Sequence, residues 1–184
     1  MAASAWHNAD GLNVKTHGAY DSDVRNYFNR LRTVKTFGPI KTMILDFDLE
    51  LVGAGTTWFP ADLNNNGTND GFTDEELFIP QGSAIVRCFS VCKEIALGGT
   101  SFAVGTYSKT GSAIDAAGLI TAANGAIANI GAIGEYIIGT GANVSDATGD
   151  VGLTADAWVA ITTVGTFTAG KGTVVIDYIP PVQW

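Results

Sequence analysis

The chain has 184 residues, of which 46% are hydrophobic and only 15% charged, with a net charge of −8 and a pI near 4.5. That length sets one domain as the default, and the acidic balance argues against DNA or RNA as the partner of its body. No stretch approaches the ~20 uninterrupted apolar residues of a membrane helix. The start, MAASAWHNADG, has neither a basic leader region nor an apolar one, so the reading is a protein made in a cytoplasm without a secretory signal. So little charge leaves two accounts of the surface: burial against other subunits or a larger body, or neutral Thr, Ser and Asn faces.

Charge is unevenly placed. Residues 1–41 hold six Lys or Arg and three Asp, whereas residues 42–184 hold four basic and fifteen acidic side chains. A basic leading segment on an acidic body points to two different partners, and divides the chain into an N-terminal arm, 1–41, and a β-domain, 42–184. The arm begins with Trp6, a turn at Asp10-Gly11 and a short extended piece. From Arg25 to Lys41 it carries five basic residues and no acid, interleaved with Tyr27, Phe28, Leu31, Val34 and Phe37. An arm that docks on an acidic neighbouring surface would cover those aromatics. Gly38-Pro39 ends it.

Residues 42–52 alternate strictly. Met43, Leu45, Phe47, Leu49 and Leu51 take one face, and Thr42, Ile44, Asp46, Asp48, Glu50 and Val52 the other. This is the pattern of an antiparallel strand with one face in the core and one mostly in water. Asp46, Asp48 and Glu50 stand about 7 Å apart along such a strand, a spacing open to glycosidase carboxylates, but nothing around them marks a general acid.

Residues 53–78 read as a loop. Asp62, Asn64, Asn66 and Gly67 match the D-x-N-x-N-G opening of a calcium loop, with Asp70 a further oxygen donor. Thr73 stands where the bidentate Glu belongs, and Asn- and Gly-rich loops make the same turns without metal. Trp58 and Phe59 precede it. The sequons Asn66-Gly67-Thr68 and Asn143-Val144-Ser145 need no glycan in a chain without a leader.

Strands are predicted over 84–96 and 100–107, joined as a hairpin by Gly98-Gly99, which can supply the two positive φ angles of a type I′ turn. Cys88 and Cys92 fall on the first of these, about 13 Å apart, too far for a disulfide. They read as buried free thiols. His7 and His17 are the only histidines, too few to complete a zinc site. Over 114–131, Ile120, Ala123, Ile127 and Ile130 fall at helical spacing, which predicts one short helix weakened by Gly118 and Gly125. A short strand is expected at 135–138. A second hairpin closes the chain, with strands 157–164 and 173–179 and Thr168-Ala169-Gly170-Lys171-Gly172 in the connection. Many short strands with Gly-rich turns indicate an antiparallel sandwich or barrel. Nucleotide, hydrolase and metalloprotease motifs are absent, so no enzyme is expected.

Three stretches resemble the small head-decoration, or cement, proteins of tailed bacteriophages found in marine and cyanobacterial phages. The first is Trp6 followed by Ala9-Asp10-Gly11-Leu12-Asn13-Val14. The second runs from Ile79-Pro80-Gln81-Gly82-Ser83-Ala84-Ile85 through Gly98-Gly99-Thr100 to Val104-Gly105-Thr106. The third is Thr168-Ala169-Gly170-Lys171-Gly172 with Val174, Ile176 and Tyr178. The long 53–78 loop and the basic 25–41 stretch depart from that pattern.

The resemblance implies an all-β, jelly-roll-like sandwich with one short helix and an extended N-terminal arm. It further implies a homotrimer on the exterior of an icosahedral head, in contact with the major capsid protein. Trp6, Arg25, Arg30, Arg32 and Lys35 are the candidate docking residues. No cofactor is expected apart from a candidate calcium ion, and neither nucleic acid nor membrane is an expected partner. A carbohydrate- or receptor-binding β-sandwich module of a phage particle, using exposed Trp58 and Phe59, is the alternative.

Overall fold

The computed structural model describes residues 6–7, 13–14, 32–37, 40–59, 78–144 and 152–181. Among them are twelve strands: β1 Trp6–His7, β2 Asn13–Val14, β3 Arg32–Phe37, β4 Ile40–Asp48, β5 Thr57–Trp58 and β6 Phe78–Ile79, then β7 Ala84–Gly98, β8 Ser101–Tyr107, β9 Ala113–Ile120, β10 Tyr136–Ile138, β11 Ala157–Val164 and β12 Phe167–Ile179. Strands β1 and β2 pair with each other, bracketing the Asp10-Gly11 turn signal. The rest form two antiparallel sheets. Sheet I has the order β10-β7-β12-β4-β3, and sheet II the order β5-β11-β8-β9, with β6 also on β11.

The pairs nest. Strand β4 lies beside β12, β5 and β6 beside β11, β7 beside β10, and β8 beside β9. A ribbon of such pairs wrapped around a core is the jelly-roll arrangement, and the chain is an all-β sandwich. The inner faces contribute Met43, Leu45, Phe47, Cys88, Cys92, Val174, Ile176 and Tyr178 from sheet I, and Phe102, Val104, Leu119, Ile120, Val159 and Ile161 from sheet II. Phe47 and Phe102 meet across the layers with ring centroids 5.5 Å apart. Cys88 and Cys92 are free and buried, as the spacing predicts.

Strand β4 keeps its alternation through Phe47. Asp48 then accepts the Glu50 backbone N–H at 3.1 Å and caps a 3-10 turn, Leu49–Leu51. The turn rotates Leu51 out to solvent and brings Val52 into the core, so the strand is shorter than the 42–52 pattern implies.

Both predicted hairpins are corrected. Gly98 and Gly99 do have positive φ, +72° and +56°, but β7 belongs to sheet I and β8 to sheet II. The glycines form a corner between layers. Thr166 lies against that corner, its carbonyl accepting the Gly99 N–H at 2.7 Å. Strands β11 and β12 likewise lie in different sheets, and 168–172 is part of β12, which bulges there instead of looping.

The predicted helix over 114–131 is also absent. The segment forms β9 and a 3-10 turn, Ile127–Asn129. Gly118 packs against Asn143 and Asp115, and Gly125 against the Phe102 carbonyl, so both glycines serve close approach. Pairing with the edge of β8 satisfies the backbone of this segment without the entropic cost of holding Gly118 and Gly125 in a helix.

One register detail concerns the Asn-rich loop. Thr57 and Trp58 oppose Thr162 and Ile161, while Phe78 and Ile79 oppose Trp158 and Ala157. Only Val159 and Ala160 separate the two sets on β11, yet residues 59–77 separate them in the chain. Strands β5 and β6 are thus two halves of one edge strand, with residues 59–77 between them in the chain.

Candidate docking surface

The outer face of sheet I is built in rows. In register across it, Ile138 of β10, Phe89 of β7, Val175 of β12 and Ile44 of β4 stand side by side, with Thr33 of β3 at the end of the row. The next row holds Tyr136, Val91, Thr173 and Asp46, and the row on the other side Arg87, Asp177, Thr42 and Lys35. Phe89, Val91, Val175 and Ile44 are half-buried, whereas Tyr136 and Ile138 are 66% and 59% exposed. An apolar band therefore crosses a face that strand alternation alone assigns to water.

Ion pairs flank the band. Asp177, buried, accepts a hydrogen bond from the Thr42 hydroxyl at 2.5 Å and pairs with the exposed Arg87 guanidinium, which lies 5.7 Å from the Phe89 ring centroid. On the other flank Lys93 donates to Asp46 at 2.8 Å, and the Thr173 hydroxyl donates to the same carboxylate oxygen at 2.6 Å. Lys171 contacts Glu94 at 2.9 Å and Asp48 at 3.8 Å. The hydrogen bond to Glu94, with the charges of Asp48, Glu94 and Glu50, holds the Lys171 ammonium above its ordinary range. The basic ends are exposed but Asp177 and Asp46 are largely buried, so these pairs compensate carboxylates that have been taken out of water. Their effect is to neutralise the flanks locally.

The acids of the glycosidase question are engaged in these contacts. Asp46 serves Lys93 and Thr173, Asp48 caps the 3-10 turn, and Glu50 is exposed within that turn. Among the described residues no group of three or more His, Cys, Asp or Glu is placed to hold a metal ion. The calcium candidates Asp62, Asn64, Asn66 and Asp70 lie outside the described residues, as do Arg25 and Arg30. Trp6 is in β1, and Arg32 and Lys35 are in β3, which forms an edge of sheet I.

Trp58 and Phe59 correct the carbohydrate-module reading. They are 2% and 0% exposed, so neither offers a ring to a sugar. Phe59 packs edge-on to Tyr107 with centroids 5.6 Å apart, and Phe78 stacks on Trp158 at 5.2 Å. Burial raises the Tyr107 hydroxyl above its ordinary range, against the opposing hydrogen bonds of Thr57 and Thr162.

The sequence reading passes over the apolar band. Its signal is present: Ile44 interrupts Thr42 and Asp46 on the polar side of β4, and Val175 does the same between Thr173 and Asp177. Only the register shows that the interruptions align.

No family model and no curated protein matches the sequence. Among solved structures the chain is similar to one described as "Cyanophage Pam1 capsid asymmetric unit", at 15% identity and a TM-score of 0.46, covering 83% of this chain and 94% of that one.

Proposed function

We propose that this chain is a virion structural protein of a tailed bacteriophage: a decoration protein that binds the exterior of an icosahedral head as a homotrimer and stabilises the shell. The observation that carries the reading is where the family-like stretches fall. Ile79 to Ile85 leads into β7 through the Gly82 turn. Gly98-Gly99-Thr100 is the corner between the sheets. Thr168 to Tyr178 lies within β12, the central strand of sheet I. The second and third stretches thus supply a turn, the corner between the sheets and the central strand of one sandwich.

On this reading most of the acidic body faces solvent, the basic leading segment, which includes Arg32 and Lys35 on the β3 edge of sheet I, meets the major capsid protein, and no catalytic step or cofactor is required. The physical effect is linkage. A protein that binds the expanded lattice and not its dissociated subunits stabilises each occupied site by about 2.7 kcal/mol at a free concentration one hundred times its Kd. The chain would be made in the host cytoplasm and reside on the virion exterior. Titration of the purified protein onto expanded, undecorated heads of its phage tests this. Saturable co-sedimentation, with a rise in the temperature at which the heads open, is expected. Absence of binding at tens of micromolar overturns the reading.

A further inference from the structure

The two edges of sheet I differ in chemistry. At one lies β3, with Arg32 and Lys35, and at the other β10, about 19 Å away across four strand spacings. Residues 116–145, which include β10 and its flanking turns, contain a single charged side chain, Glu135. Its carboxylate turns back to accept the Ala132 backbone N–H at 2.8 Å. Tyr136 and Ile138 stand on the outer face beside Val91 and Phe89, and Ile133, in the turn before β10, is 71% exposed. Tyrosine and isoleucine displayed this openly next to half-buried apolar neighbours mark an interaction surface.

We infer that this β10 end of the outer face is where a second copy of the chain packs. The argument for the occupant is electrostatic. Copies carrying −8 each repel, and that cost falls where they meet through surface without net charge. Among the described residues, this end of the sheet is such a surface. Its one acid is tied into a turn, and the flanking charges on β7 and β12 are already paired with Asp177, Asp46, Asp48 and Glu94. The contact is made with the face and not by adding a strand, because β10 is only three residues long and the Asn124 side-chain amide already donates to its Ile138 carbonyl at 3.1 Å. The inference rests on the self-association in the proposed function and names where it occurs; its test needs no heads, so head binding and the self-contact can fail separately.

The test is the native mass of the full chain by light scattering. The wild type is expected as an oligomer, and the double variant Tyr136→Asp, Ile138→Asp as the 19.1 kDa monomer with a cooperative thermal transition. Leu97→Asp, equally exposed but at the corner between the sheets, should leave the oligomer intact. Should the double variant not fold, hydrogen exchange of the wild type decides. The 133–139 amides should lose protection on dilution through the dissociation range, while those of β8 keep theirs. A wild type that stays monomeric at tens of micromolar overturns the inference. So does a folded double variant that remains oligomeric.

Discussion

Gly99 shows how a single residue fixes this fold. It has a positive φ, and a side-chain carbon there would run into the Phe167 ring, itself a core residue. Gly55 also has a positive φ, +71°, but nothing lies within 4 Å of where its Cβ would be. Gly99→Ala should therefore cost about 2 kcal/mol or more, while Gly55→Ala incurs the backbone strain alone, about 1 kcal/mol. Thermal melts check the order: a drop of roughly 4–8 °C is expected for the first and about half that for the second.

Burial of protonated groups gives a second prediction at this scale. Desolvation pushes the Cys88 thiol up from 9.0 to about 12 and the Tyr178 hydroxyl up from 10.0 to about 12. The unfolded chain releases these protons first, so their stabilising contribution is complete below pH 9 and is lost as the pH rises towards 12. Urea unfolding of the wild type should weaken steadily above pH 9. In Cys88→Ala the decline should be shallower by about 1.4 kcal/mol per pH unit, and superimposable profiles would refute the assignment. That the Gly pair makes a turn and that the thiols are buried are both legible in the sequence, because each depends on neighbours a few residues away.

Individual elements were legible where their signal is local. The alternation of β4 reads directly from Met43, Leu45 and Phe47. The helix over 114–131 does not survive, since the periodicity of Ile120, Ile127 and Ile130 arises from a strand and a 3-10 turn that both feed one core. The hairpins fail for a different reason: a Gly-Gly corner has the same local signature whether the strands it joins pair with each other or separate into two sheets. The split edge strand is invisible to any window, yet it makes a sharp prediction. Removing residues 61–77 leaves 59 and 60 opposite Ala160 and Val159 and restores one continuous strand across β5 and β6. The deletion should fold with an unchanged far-ultraviolet spectrum and a cooperative melt. Deleting 61–76 or 61–78, one residue out of register, would turn Phe78 or Ile79 to the wrong face and should be markedly less stable. Equal stability of all three would overturn the insertion account.

For the whole molecule the governing feature is the separation of charge, basic before residue 42 and acidic after it. On the decoration reading, reversing Arg25, Arg30, Arg32 and Lys35 to Glu together should abolish head binding and leave a cooperative melting transition. Undiminished binding by that variant would remove the arm from the contact. The placement of charge along the chain by itself determined the basic leading segment. Strand alternation and glycine placement determined most of the strands. These are properties of near neighbours, set by side-chain period and backbone freedom.

Tertiary structure alone decided the rest. It nested the strands, divided them between two layers, buried Trp58 and Phe59, and aligned Ile138, Phe89, Val175 and Ile44 in one row. The reason is the distance these choices span. Thr42 finds Asp177 across 135 residues, and at such separations a local pattern specifies that a face is apolar or polar but not which strand, or which partner, will lie against it.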